Sequence, residues 1–357
     1  MNIKIGEVSH PVETWLSTHN QEWSDLEKEA IGIVRNWTNN EPYYYLTTSG
    51  STGQPKAITL SRELLIWSAK NTCDYLELKD EKIGCCLPLN KAGGFMMLIR
   101  SLIYQCDIHI VAPTANPILF LDKDCTFVSL VPYQMIEILK EETSKAAVNN
   151  IKKILLGGAE IPLNLQKQLE LLTTAVYFGY GMTETASHIA LMHLNRGEAN
   201  IGFELLPGVK IDILPTKQIA VSIPDFGLNW VTNDLGEMNN GRLLILGRTE
   251  NYINSGGVKV LAKEVETIIE AYLSEKDWAV LFVVVGLQHP IFGEAISVVS
   301  ENLALPQDAR DEINNEIENQ LGAKYKIVNW KSVEQFPLVN HKIDKQKLKQ
   351  LLGEVQG

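Results

Sequence analysis

Short apolar runs alternate along the chain with longer stretches in which apolar residues recur every three or four positions, the pattern of strands interleaved with helices. Tyr43 to Leu46 is aromatic and strand-like, and a hydroxyl-rich stretch follows it. Ser61 then stands as an N-cap for a helix through LLIWSAKNTCDYL, with Glu63 in its first turn, so the spacing predicts a strand, loop and helix unit. IKKILLGGAEIPLNLQKQLELL repeats that logic, with a turn at Gly157 and Gly158 and a helix carrying Pro162 near its start. AVYFGYGMTETASHIAL is a further strand leaving through glycines. Such alternation indicates an α/β fold, in which ligands collect at the carboxyl ends of the strands. All three glycine turns fall at such ends and are expected to face one cleft.

From residue 251 the pattern changes to a hairpin, a helix (AKEVETIIEAYL), two strands (WAVLFVVV and AISVV), an acidic helix (DEINNEIENQL), a strand (YKIVNW) and a terminal helix (DKQKLKQLL). This is a second compact domain of α+β type, within the usual size range of domains. The polar segment Gly247 to Asn251 marks the boundary, which divides the chain into a large domain (1–248), a hinge (249–251) and a small domain (252–357).

Composition narrows the classes of function. The 357 residues are 45% hydrophobic and 21% charged, an ordinary globular balance. Lys and Arg number 32 against 43 Asp and Glu, and the net charge of -11 argues against a nucleic acid or an anionic membrane as partner. Five cysteines, all in the first half and without a C-x-x-C pair, suggest neither a disulfide framework nor a zinc knuckle, and a cytoplasmic location is expected. The amino terminus has no apolar signal region, and the longest apolar run falls far short of a membrane span.

The stretch YLTTSGSTGQPKAITLS sets small donors and two glycines ahead of one lysine. Glycines let backbone N–H groups approach an anion, hydroxyls add donors and Lys56 adds charge, which together read as a phosphate cradle. The order is not that of the common P-loop. Nor is it a nucleophile elbow, and GYGMTE has Glu184 where a dinucleotide fingerprint needs glycine.

The sequence T-S-G-S-T-G-x-P-K, then G-Y-G-M-T-E, T-N-D, G-R-x-E-N-x-I-x-S-G-G and H-K-I-D resembles the adenylate-forming superfamily of acyl-CoA ligases, luciferases and nonribosomal adenylation domains. The five motifs run in order from residue 46 to residue 345. Within the superfamily, SLVPYQM, ILLGGAEIP and GYGMTETASH are most similar to the o-succinylbenzoate-CoA ligases of menaquinone synthesis. The resemblance implies a carboxylic acid activated by ATP and Mg²⁺ to an acyl-adenylate, then transferred to coenzyme A. It implies that Thr48, Ser49, Gly50, Ser51, Thr52, Gly53 and Lys56 hold the β and γ phosphates. Glu184 would take Mg²⁺, Thr183 would touch the α-phosphate, and Tyr180, Gly181 and Met182 would lie against adenine, with Gly158, Ala159 and Glu160 on its other edge. Asp234 and Arg248 would bind the ribose hydroxyls. Lys342 would bridge the attacking carboxylate and the α-phosphate, and Ser255, Gly256 and Gly257 would line the pantetheine tunnel after the small domain turns about a hinge at Glu250.

The acyl pocket is expected between LPLNKAGGFMMLIRS, SLVPY and TASHIA, lined in part by Gly94. Lys91 and Arg100 are the candidate cations for a second, non-reacting carboxylate, with Ser187 and His188 as further donors. Relatives often carry an aromatic-His pair where Asn90 and Lys91 stand. They also have about a hundred more residues ahead of the hydroxyl-rich loop, so the large domain is read as shortened at its amino end: either a short natural form, or one whose bared face a homodimer covers. Two other readings stay open, transfer of the acyl group to a carrier protein and an adenylate-binding protein without turnover.

Overall fold

The computed structural model describes residues 1–18, 22–48, 56–79, 81–195, 202–278, 280–302, 304–339 and 342–353, with the backbone alone for Thr48, Val339 and Lys342. Two compact units emerge, one of Met1–Lys210, Ser222–Leu228 and Asn239–Leu243, the other of Ile211–Val221, Asn229–Met238 and Leu244–Gly357.

The first unit opens with a hairpin, β1 (Asn2–Ile5) and β2 (Val8–Pro11), and two helices, α1 (Val12–Ser17) and α2 (Asp25–Thr38). Ser24 and Glu27 close the start of α2 with reciprocal bonds to backbone N–H groups. A second hairpin pairs β3 (Tyr43–Thr48) with β4 (Lys56–Ser61), antiparallel and separate from the main sheet. Here the structure corrects the expected strand, loop and helix unit: Lys56-Ala-Ile-Thr-Leu-Ser61 alternates with period two and forms a strand before α3 (Arg62–Tyr75) begins. Ser61 caps α3 as expected, its Oγ accepting from the Leu64 N–H at 3.2 Å.

The chain then builds the sheet. It passes through β5 (Ile83–Cys85), α4 (Ala92–Tyr104), β6 (Ile108–Ile110), β7 (Phe127–Leu130), α5 (Pro132–Leu139), α6 (Glu142–Val148), β8 (Lys153–Leu156), α7 (Leu163–Leu169), β9 (Ala175–Gly181), β10 (His188–His193) and β11 (Glu204–Leu205). The nine strands lie in the order β11-β10-β9-β8-β7-β5-β6-β1-β2. The run from β9 to β1 is parallel and β10 returns antiparallel along β9. Parallel strands covered on both faces are apolar throughout, and β5, β6 and β7 are buried at every residue. Order reverses between β5 and β7, since the chain leaves β5 for β6 on one side and comes back to β7 on the other.

A four-stranded sheet, β12 (Lys210–Ile213), β13 (Gln218–Ile223), β14 (Leu228–Asn239) and β15 (Arg242–Arg248), gives most of its residues to the second unit. The rest of that unit is a sheet of β16 (Tyr252–Ser255), β17 (Val258–Leu261), β18 (Phe282–His289), β19 (Gly293–Glu301) and β20 (Asn329–Val333), with helices α8 (Ala262–Glu275), α9 (Gln307–Leu321) and α10 (Lys345–Gly353). Alternation along β18 sorts its side chains: Val284 joins Val265, Ile269, Ile313 and Ile317 from α8 and α9, whereas Val283, Val285 and Leu287 meet Phe336 and, from α10, Leu348. The strand expected over YKIVNW begins later, at Asn329, because Ala323–Tyr325 close a 3-10 turn first. Lys342 lies ahead of α10 in a two-residue strand, β22 (Lys342–Ile343), opposite β21 (Leu338–Val339).

Candidate active site

In the first unit the candidate residues gather at the carboxyl ends of neighbouring strands. Gly158, Ala159 and Glu160 follow β8, and Tyr180 and Gly181 end β9, which lies parallel beside it. The half-buried Tyr180 ring sits 5.9 Å from that of Phe203. Met182 leads into the 3-10 turn Thr183–Thr185, which packs against β4, the strand that starts at Lys56. Lys56 is exposed and opposite Thr48 in the hairpin register. Ser49, Gly50, Ser51, Thr52 and Gly53 lie outside the described residues.

The turn after β9 is tight. A Cβ on Gly181 would come 2.4 Å from both the Cα of His188 and the carbonyl oxygen of Ser187, so only glycine lets β10 close on β9 there. Thr185 holds the turn by donating to the Ser187 carbonyl at 2.6 Å and accepting from the Met182 N–H. Ala186, fully buried, is forced to φ 64, ψ -37, a conformation costing an ordinary residue about 1–3 kcal/mol. That strain fixes the direction in which Ser187 and His188 enter β10.

What they meet is Arg100. Helix α4 is buried on all sides from Gly94 to Leu102, and Arg100 lies among its apolar residues, 1% exposed. Gly94 permits this depth, because its Cβ would fall 2.4 Å from the Pro88 carbonyl oxygen. The guanidinium donates through Nη2 to Ser187 Oγ at 2.9 Å and to Thr72 Oγ1 at 3.3 Å, and reaches the Met97 sulfur through Nη1 at 3.7 Å. Among the described residues its Nε has no partner and no carboxylate pairs with it. Burial lowers its pKa to about 10. His188 lies 3.1 Å from Ser187 Oγ through Nδ1 and 2.9 Å from Thr72 Oγ1 through Nε2, and burial, then the nearby guanidinium, push its pKa well below the ordinary value. It is therefore neutral near pH 7.

Lys91 stands apart from this group. As the residue before α4 it precedes Arg100 by nine residues, about 13 Å along a helix, and its ammonium donates to the Thr47 carbonyl at 3.0 Å and to Thr47 Oγ1 at 3.2 Å. It ties α4 to the tip side of the β3–β4 hairpin. Thr72 carries no motif that marks it, although Ser68 and Thr72 interrupt the buried stripe Leu64, Leu65, Ala69 and Cys73 with two hydroxyls one turn apart.

In the second unit Arg248 lies 3.2 Å from Asp234 through Nη1 and 3.2 Å from Glu250 through Nη2, and Asn233 donates to the same Glu250 oxygen at 3.1 Å. Ser255 ends β16, and Gly256 and Gly257 make its turn into β17. Asn254 beside them donates its N–H to Glu294, which also takes the Lys349 ammonium.

The candidate residues thus stand at the carboxyl ends of a mainly parallel sheet, near a buried guanidinium that pairs with no carboxylate among the described residues. The profile of the family described as AMP-binding enzyme matches residues 4–220, and the chain belongs to that family. It is 31% identical over 242 residues to the 2-succinylbenzoate–CoA ligase of Escherichia coli K12, a stretch covering 63% of this chain and 52% of that protein. The chain thus spans about half the length of the curated relatives it matches. Among solved structures it is similar to an AMP-forming acyl-CoA synthetase/AMP-acid ligase II-like protein of Dyadobacter fermentans, 31% identical with a TM-score of 0.62, over 96% of this chain and 97% of that one. A substituted E. coli MenE with bound OSB-AMS is 26% identical with a TM-score of 0.68, over 87% of this chain and 69% of that one. No helix among the described residues is long and apolar enough to cross a membrane.

Proposed function

We propose that the chain activates o-succinylbenzoate with ATP and passes the acyl group to coenzyme A. One observation carries the choice of acid: Arg100 is a fully buried guanidinium with no carboxylate partner among the described residues, an arrangement costly to a fold unless an anion from outside completes it. An acid with a second, non-reacting carboxylate supplies that anion, whereas a fatty-acyl tail would leave the charge stranded. The names of the relatives support the same acid.

In the first half-reaction one oxygen of the reacting carboxylate bonds to the α-phosphorus and the bond to the bridging β-phosphate oxygen breaks, releasing pyrophosphate. Thr48, Ser49, Gly50, Ser51, Thr52, Gly53 and Lys56 would hold the leaving phosphates, Thr183 the α-phosphate, and Tyr180 with Gly158, Ala159, Glu160, Gly181 and Met182 the adenine. Lys342 would offset the repulsion between the two reacting anions. Glu184 suits Mg²⁺, a hard ion that keeps several waters and takes few protein ligands. Mg²⁺ would neutralise phosphate charge. Asp234 and Arg248 would take the ribose hydroxyls, and the chain would turn at Glu250 before the thiol, entering past Ser255, Gly256 and Gly257, attacks the acyl carbon and expels AMP.

The test is pyrophosphate release with ATP and Mg²⁺ across o-succinylbenzoate, benzoate, a coumarate and a medium-chain fatty acid, each with and without coenzyme A. Release selective for o-succinylbenzoate, with a CoA thioester as product, is expected. Silence on the whole panel while ATP still binds would replace this reading with that of a nucleotide-binding protein.

A further inference from the structure

Thr72 Oγ1 has one proton and three neighbours. It lies 2.9 Å from the Ser68 carbonyl, which can only accept, 3.3 Å from Arg100 Nη2, which can only donate, and 2.9 Å from His188 Nε2, which can do either. With the hydroxyl proton given to the carbonyl, both remaining contacts must be received, so Nε2 of the neutral imidazole carries its hydrogen. Nδ1 is then bare and accepts the Ser187 hydroxyl proton at 3.1 Å, while Ser187 Oγ receives Arg100 Nη2 at 2.9 Å. Every contact is satisfied by this one arrangement. Both N–H bonds of Nη2 are committed to oxygens, leaving Nε without a partner and Nη1 with only a weakly accepting sulfur.

We propose that Thr72 is a positioning residue for acid recognition, its hydroxyl holding the Arg100 guanidinium and fixing His188 as the Nε2–H tautomer, so that Nε and Nη1 are left for the carboxylate. This rests on the reading of Arg100 as the site of the non-reacting carboxylate. Thr72 belongs to α3, Arg100 to α4 and His188 to β10, so one hydroxyl sets the register of three elements. Loss of a hydrogen bond to a charged group is worth about tenfold in affinity.

The experiment measures pyrophosphate release by the full chain as a function of acid and of ATP, for wild type, Thr72→Val and Thr72→Ser. Valine keeps the shape and removes the hydroxyl; serine keeps the hydroxyl. Thr72→Val is expected to raise KM for o-succinylbenzoate about tenfold, with KM for ATP unchanged and with Thr72→Ser close to wild type. Equal values in wild type and Thr72→Val, or a parallel rise for acid and ATP, would overturn the proposal and leave the reading of Arg100 standing. No response of the wild type to o-succinylbenzoate would overturn both. Should Thr72→Val not fold, ¹⁵N NMR of the wild-type histidines decides: His188 protonated at Nε2 supports the proposal, and protonation at Nδ1 overturns it.

Discussion

Two arginines of this chain are treated in opposite ways. Arg100 is fully buried, faces two hydroxyls and a thioether and pairs with no carboxylate among the described residues. The Arg248 side chain is 44% exposed and lies between two carboxylates, those of Asp234 and Glu250. The exposed group is screened by water and its ion pairs add little to stability, about 0–1 kcal/mol each, so giving them up for the proposed ribose hydroxyls would cost little. The buried group has no such alternative. Desolvating a cation costs several kcal/mol unless a counter-charge is supplied, and hydroxyl oxygens return only part of it. On the proposed reading Arg100 would be completed by a charge that arrives with the ligand, whereas Arg248 already lies between charges of the chain.

The largest effect that follows is at Arg100. Replacement by methionine fills the same space without charge, and KM for o-succinylbenzoate is expected to rise by about a hundredfold or more, the loss of a buried charge pair. The melting midpoint is expected to hold or to rise, because removing an unpaired buried charge relieves the fold. Steady-state kinetics and calorimetry on one preparation check both halves. A melting midpoint that drops by several degrees would make Arg100 a scaffold group and erase the contrast with Arg248.

At Arg248 the expected effect is smaller and falls on the other substrate. Arg248→Ala should raise KM for ATP about tenfold, the worth of a hydrogen bond from a charged donor, without changing KM for the acid. Its melting midpoint should move by less than about 2 °C, since exposed pairs contribute so little. A rise in KM for the acid equal to that for ATP would mean that the two arginines do not serve separate ligands.

The difference between these sites also explains what the sequence made legible. Strand and helix alternation, the Ser61 cap and the glycine turns after β8 and β9 are local signals, and each stands where its own neighbours in the chain put it. Arg100 was legible as a cation inside the apolar run FMMLIRSLI, and Ser187 and His188 as donors in TASHIA. The hairpin of β3 and β4 was missed because the alternation of Lys56 to Ser61 is as short as the loop reading it competed with. The sequence places Lys91 beside Arg100 by charge and by its segment, but nine helical residues separate them and the Lys91 ammonium bonds Thr47. Thr72 was illegible for a different reason: its contact with His188 spans 116 positions of sequence, and a threonine on a helix gives no local sign of such a partner.

The smallest expected effect is on pH. His188 has a folded pKa well below its unfolded value of 6.5, held down by burial first and by Arg100 second. The unfolded chain therefore takes up a proton near pH 6 that the folded chain refuses, and stability is complete above about pH 6.5 and lost as pH falls toward the folded value. Its slope in that window approaches about 1.4 kcal/mol per pH unit. Because many carboxylates titrate at lower pH, the quantity to measure is the difference between wild type and His188→Gln, whose amide can donate to Thr72 as Nε2–H does but does not titrate. The melting midpoints of the two should run parallel from pH 8 to pH 7 and separate below about pH 6.5, wild type falling faster by the equivalent of about 1 kcal/mol at pH 5.5. Parallel curves through the whole range would show that His188 already carries its proton beside Arg100, and the buried site would then hold two cations where one is described.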